Sequence, residues 1–189
     1  MTAPCERHTP GPAARAAARL GGRLPVLDTR RLQLRGPRIY DFDAYAGIFC
    51  SQRAVHMGGP FSREAAWGDF TNYCACWLLH GFGLWTIDAS TTPSAGFALL
   101  GYEYSDPEPE LGIFLTSEAE GEGYAAEALE AVRAHAFETL GWDSVASFVD
   151  PDNTRCISLM TRLGARRDAE AEAKLTDDTL VFRHVKEAA

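Results

Sequence analysis

The sequence predicts a mixed α+β (α/β) fold: one twisted sheet of about six to seven strands with helices on both faces. Three observations carry this. Residues 84–87, 96–104 and 110–116 are apolar runs joined by short polar connections, which makes an antiparallel meander. The third run leads through Gly121 and Gly123 into a helical stripe of Leu129, Val132, Ala136, Phe137 and Leu140, closed by Gly141. A further apolar run at 145–149 follows that helix, so the helix crosses over and the two strands lie parallel.

The remaining elements follow in chain order. Residues 1–24 are rich in Ala, Pro, Arg and Gly, with little to pack, and are expected to form a mobile tail. The rest, 25–189, reads as a single domain. Leu32 and Leu34 alternate with Arg31, Gln33 and Arg35, a half-buried strand. Residues 41–51 read as a helix carrying Phe42, Tyr45, Ile48 and Phe49. Ser62 caps the next helix, with Glu64 in its first turn and Trp67, Phe70, Cys74, Trp77 and Leu78 on one face. Gly81 and Gly83 stop it. Residues 88–94 form a polar turn between the first two meander strands, and 105–109 a loop before the third. Asn153 caps a helix bearing Cys156, Ile157, Met160 and Leu163, stopped by Gly164. Residues 165–173 and 180–185 are closing strands.

Charge and composition narrow the function. The formal charge is −8, which argues against a nucleic-acid binder and suits a cationic partner such as an amine. The five cysteines are odd in number, and Cys74 and Cys76 have no second pair at zinc spacing. Cys50, Cys74 and Cys76 read as buried small apolar residues in a reducing compartment. No apolar run is long enough for a membrane span, and the N-terminus lacks the apolar core of a secretory signal, so the expected location is cytoplasmic. The histidines are scattered, so no metal is expected. His135 is placed on the solvated side of its helix.

The stretch Gly121-Glu122-Gly123-Tyr124-Ala125 is where the chemistry concentrates. It stands at a strand-to-helix turn, where unpaired N–H groups and the positive end of the helix dipole favour an anion. Glycines let that backbone come close to a phosphate. Glycines that only make the turn are the plainer alternative.

Ordered motifs decide between these readings. Residues 29–35 (TRRLQLR), 81–85 (GFGLW), 109–112 (PELG), 121–128 (GEGYAAEA), 150–157 (DPDNTRCI) and 162–165 (RLGA) together resemble the GNAT superfamily of acetyltransferases, in detail its ribosomal-protein-alanine acetyltransferase-like branch. The resemblance covers roughly residues 27–170. It implies a strongly twisted sheet whose fourth and fifth strands splay apart to hold acetyl-CoA as co-substrate. It also implies that the pantetheine arm pairs with the fourth strand at Phe114, Leu115 and Thr116 and contacts Asn153. The diphosphate would sit on the amides of Gly121, Glu122, Gly123, Tyr124 and Ala125.

Two departures from the family pattern matter. Glu118 and Glu122 stand where the family has Gln or Arg and Lys or Arg, and Glu120 stands where the branch often has Trp. A carboxylate ~8 Å from a phosphate costs roughly 0.5–2 kcal/mol, less after screening. Four or five charge-assisted amide bonds, each worth about 1.5–3 kcal/mol, outweigh that if the glutamates point outward. Weakened, salt-sensitive cofactor binding is the expectation. Second, the position where many relatives have a proton-donating Tyr is Met160.

Transfer from a thioester to an amine needs a proton acceptor, donors for the oxyanion and a stabilised thiolate. The resemblance assigns the first role to Glu110, with Glu103 a weaker rival and a polar strand-edge residue the structural alternative. The oxyanion falls to the amide near Phe114. Cys156 stands where the branch often has Ser, as a weaker donor to the thiolate or simply as a core residue. Direct transfer is preferred over an acetyl-cysteine intermediate.

The leading function is therefore an N-acetyltransferase acting on a primary amine, either a protein N-terminus or a small molecule. Helices of residues 41–80 and an acidic loop with Asp106, Glu108 and Glu110 would form the acceptor side. A homodimer is a common outcome for such folds. The competing readings are a non-catalytic acyl-CoA sensor or assembly protein, and a generic phosphate-binding domain.

Overall fold

A computed structural model describes residues 2–186, so the last three residues of the expected domain lie outside the described residues. One eight-stranded sheet runs in the order β1-β2-β3-β4-β5-β6-β8-β7. The strands are β1 (Leu27–Asp28), β2 (Leu32–Arg35), β3 (Leu84–Ala89), β4 (Thr92–Gly101), β5 (Glu110–Leu115), β6 (Ser144–Val149), β7 (Arg166–Arg167) and β8 (Leu180–Val185). The helices are α1 (Pro12–Gly21), α2 (Phe42–Phe49), α3 (Arg63–Leu79), α4 (Tyr124–Ala134), α5 (Thr154–Arg162) and α6 (Ala169–Glu172). Since β1 and β7 are two-residue pieces, six strands form the body of the sheet, as expected.

Side chains alternate along the strands, so the sheet separates two cores. On β4, Phe97 and Leu99 pack toward α2 and α3, with Phe42, Tyr45, Phe70 and Tyr73. Ala98 and Leu100 face the other way, toward Leu129 and Val132 of α4 and Leu159 and Met160 of α5.

The meander is antiparallel throughout. β5 and β6 are parallel but share one register pair, Glu110 with Ala146. The Ser147 hydroxyl donates to the Leu111 carbonyl at 2.6 Å, and beyond that point the two strands diverge. This is the splay that the resemblance implied.

Several local readings differ from the sequence expectation. β4 begins at Thr92, because Ala89 already pairs with Thr92 across a shift in register at 87–89. Residues 165–173 yield only β7 and then α6, whose first turn is capped by Asp168 accepting from the Ala171 N–H. The buried face of α3 is Ala66, Phe70, Tyr73, Cys76 and Trp77, which leaves Leu78 81% exposed. Cys50 is exposed where α2 ends, and Cys74 only half-buried. His135 is buried against Trp85, with ring centroids 5.5 Å apart. The chain widens into a π-helical turn at His135–Thr139, which rotates the buried face relative to a regular helix. Within the stretch expected to be a mobile tail, α1 forms a helix that buries none of its residues. The Glu6 carboxylate pairs with Arg63 of α3 at 2.8 Å.

Candidate active site

The divergence of β5 from β6 leaves one backbone edge of β5 without a partner strand after Glu110. An extended ligand can pair with such an edge. Phe114 fills the wall beside it, edge-on to Phe49 at 4.9 Å. The Leu115 carbonyl accepts from Arg53 Nε and Nη2 at 3.3 and 3.1 Å. Among the described residues, the buried Thr116 hydroxyl has no hydrogen-bond partner. The splay then opens to the turn at 121–125. Gly121 and Gly123 both have left-handed backbone (φ 81° and 79°), a conformation costly for residues with a Cβ. α4 starts at Tyr124, and no side chain caps its first turn. The first N–H groups there are consequently available to an anion, and Ala125 is among them.

Tertiary contacts change the electrostatics of this loop. Glu118 and Glu122 are exposed to solvent. Glu120 is paired with Arg53 and, at 3.0 Å, with Arg155. Arg31 reaches in from the start of β2 and donates to the Glu122 carbonyl at 2.8 Å. None of these arginines is local to the loop, so local sequence could not reveal them.

On the α2–α3 side of the sheet lies an open cleft of about 1090 Å³, lined by Glu110, Phe114, Phe148 and Tyr73 among others. Burial pushes the Glu110 carboxyl up to about 8, and the charges of Asp106 and Glu103 add to the rise. The Phe148 N–H works against it. Burial likewise raises Asp69 to about 6, opposed by the Tyr45 hydroxyl and supported by Glu103. Glu103 accepts from the Tyr73 hydroxyl at 3.1 Å. Glu108, expected in the same acidic group, faces away and pairs with Arg183. Cys156 is half-buried, and burial followed by the charge of Glu110 pushes its thiol up to about 11. Asn153 accepts from the Cys156 N–H at 3.1 Å, so it caps α5 and keeps its amide N–H₂ free.

Sequence reasoning missed His56. Its Nδ1 lies 3.1 Å from Asp150 at the end of β6, and both side chains line the cleft. Their separation of 94 positions hides the pair from any local pattern.

The chain matches the Acetyltransferase (GNAT) domain family over residues 31–166. It is similar to a crystal structure of an acetyltransferase from Agrobacterium tumefaciens, with 36% identity over 86% of this chain and 95% of that one, at a TM-score of 0.80. RimJ of Mycobacterium smegmatis in complex with CoA-disulfide shares the fold at 18% identity and TM-score 0.66, over 87% of this chain and 88% of that one. So does an acetyl transferase from Salmonella typhimurium that modifies the N-terminal serine of a 50S ribosomal subunit protein, at 13% identity and TM-score 0.69, covering 86% of this chain and 100% of that one. With the splayed strands, the uncapped glycine turn and a matched segment that spans both, this chain belongs to the GNAT family of acetyltransferases and transfers acetyl groups to amines.

Proposed function

We propose that the acceptor is a primary amine carrying at least one further positive charge, a class that includes diamines and basic peptide N-termini. One observation carries this: among the described residues, the cleft is lined by seven Asp and Glu residues and by no Lys or Arg. Such a wall raises the local concentration of a cation and repels an acidic substrate. Its aromatic residues, Phe49, Phe61 and Phe114 among them, suit an apolar spacer between two charges. No helix among the described residues is long and apolar enough to cross a membrane. Five free cysteines support a reducing cytoplasm as the compartment.

In this reading acetyl-CoA supplies the thioester, and the protein does the rest. Phe114, Leu115, Thr116 and Asn153 hold the pantetheine arm, and the amides of residues 121–125 hold the diphosphate. Glu110 accepts a proton from the incoming ammonium, since only the free amine has the lone pair that attacks. The strand amide near Phe114 donates to the oxyanion. Cys156 keeps its proton at neutral pH and would donate only a hydrogen bond to the departing thiolate, which takes the second proton released by the attacking nitrogen.

An acceptor panel tests the substrate class. A diamine should exceed a neutral-tailed monoamine of equal length by about tenfold or more in kcat/KM, with KM rising as salt increases. Equal rates for acidic and basic N-terminal peptides would refute the charge argument. Binding of acetyl-CoA without turnover across the panel would instead favour an acyl-CoA sensor.

Direct transfer makes a separate prediction. With its thiol pushed up to about 11, Cys156 is a poor nucleophile at pH 7. Cys156→Ala should therefore keep turnover within about tenfold of wild type, the range for losing a single weak donor. Mass spectrometry should find no acetyl group on Cys156 during turnover, and complete loss of activity in the variant would point to a covalent step.

A further inference from the structure

The diphosphate site has three glutamates around it and no cation of its own, yet Arg31 is built into it from 90 residues away. Its backbone N–H and Nε donate to Glu127 at 2.8 and 2.7 Å. Nη1 donates to the Glu122 carbonyl at 2.8 Å, and the guanidinium lies 4.9 Å from the centre of the Tyr124 ring. Glu127 also accepts from the Thr29 hydroxyl at 2.6 Å, so its charge is engaged on the side away from the turn. The remaining nitrogen, Nη2, lies 3.4 Å from the point where a Cβ on Gly123 would stand. Among the described residues it donates to nothing.

We infer that Arg31 is a cofactor-binding residue whose free Nη2 edge takes a phosphate oxygen at the start of α4, replacing the cation that the loop itself lacks. This deepens the reading of residues 121–125 as the diphosphate site and rests on it. The anchors explain the choice of arginine: three attachments fix the guanidinium before a ligand arrives, and one edge stays unspent. Glycine at 123 is required by its left-handed backbone (φ 79°), and a Cβ there would stand in ordinary contact with that edge.

Calorimetry tests the inference with two probes, acetyl-CoA and S-acetylpantetheine, which lacks the diphosphate. The readout is the ratio of their dissociation constants. Arg31→Gln should shrink wild-type preference for acetyl-CoA by about ten- to a hundredfold, the span of one charge-assisted phosphate contact. The slope of affinity against salt should flatten with it. The double variant Arg31→Gln, Glu127→Gln leaves no unpaired charge behind and should show the same loss. Arg31→Lys should recover part of it. An unchanged ratio in both glutamine variants, whether both constants hold or both weaken together, would leave Arg31 as a loop anchor only and overturn the inference. Wild-type protein that fails to prefer acetyl-CoA over S-acetylpantetheine would overturn the diphosphate site itself.

Discussion

Glu110→Gln is expected to lower kcat/KM for acetyl transfer by about a hundred- to ten-thousandfold, the range for losing a positioned general base. The same substitution should stabilise the fold at high pH. Both outcomes come from burial, which with Asp106 and Glu103 lifts the Glu110 carboxyl from 4.5 to about 8. A base must be ionised to work, so the wild-type rate should climb as pH rises through about 8 and flatten above it. The stability runs the other way. A carboxyl whose folded pKa is raised favours folding when protonated. Its ionisation then costs stability progressively as pH rises from the unfolded value near 4.5 to the folded value near 8. Glutamine keeps the shape without that cost. A gain of at least about 4 °C in Tm at pH 9 and none at pH 4 is the expected pattern. A pH–rate limb that survives unchanged in Glu110→Gln would move the proton acceptor elsewhere, and His56, held by Asp150 in the same cleft, would be next to test.

Asp41→Ala should cost about 3–5 kcal/mol of stability, the usual penalty for breaking a buried ion pair from one side. Asp41 is 3% exposed, and Arg35 beside it 8%. The carboxylate takes both Arg35 terminal nitrogens at 2.8 and 2.9 Å and the Arg38 N–H at 2.7 Å. The Thr86 and Ser94 hydroxyls each donate to it at 2.9 Å. The start of α2 is thereby tied to β2, β3 and β4 through one side chain. Burial alone would raise the Asp41 carboxyl, but Arg35, followed by the Arg38 N–H, overcomes it and holds the group below the usual carboxylate range. The sign is therefore opposite to that of Glu110. This contribution is present above the unfolded carboxylate value and disappears as pH falls through the lower folded value. Urea unfolding at pH 7 measures the penalty, with Asp41→Asn falling between wild type and Asp41→Ala. A loss below about 1 kcal/mol would show that Arg35 is satisfied by Asp88 alone.

Local patterns along the chain were enough to specify the sheet, its meander, the crossover and the glycine turn at the head of α4. These rest on local signals: period-two and helical spacing, glycine at left-handed turns, and the Ser62 and Asn153 caps that the structure confirms. The sequence also marked Glu110 and Cys156 as candidates, and the fold brings Glu110 close enough for its charge to raise the Cys156 thiol. The charge of the site emerges only once the chain is folded. Read locally, residues 118–125 form an acidic loop expected to bind a diphosphate only weakly. In space, Arg53 and Arg155 pair with Glu120, while Arg31 lies along the turn. The same holds for Glu108, which belongs to the acceptor loop in sequence but is paired with Arg183 in the fold. The physical reason is one of range. Helix, strand and turn preferences act over a few residues, whereas a charge responds to whatever the folded chain places within several ångströms, however distant in sequence.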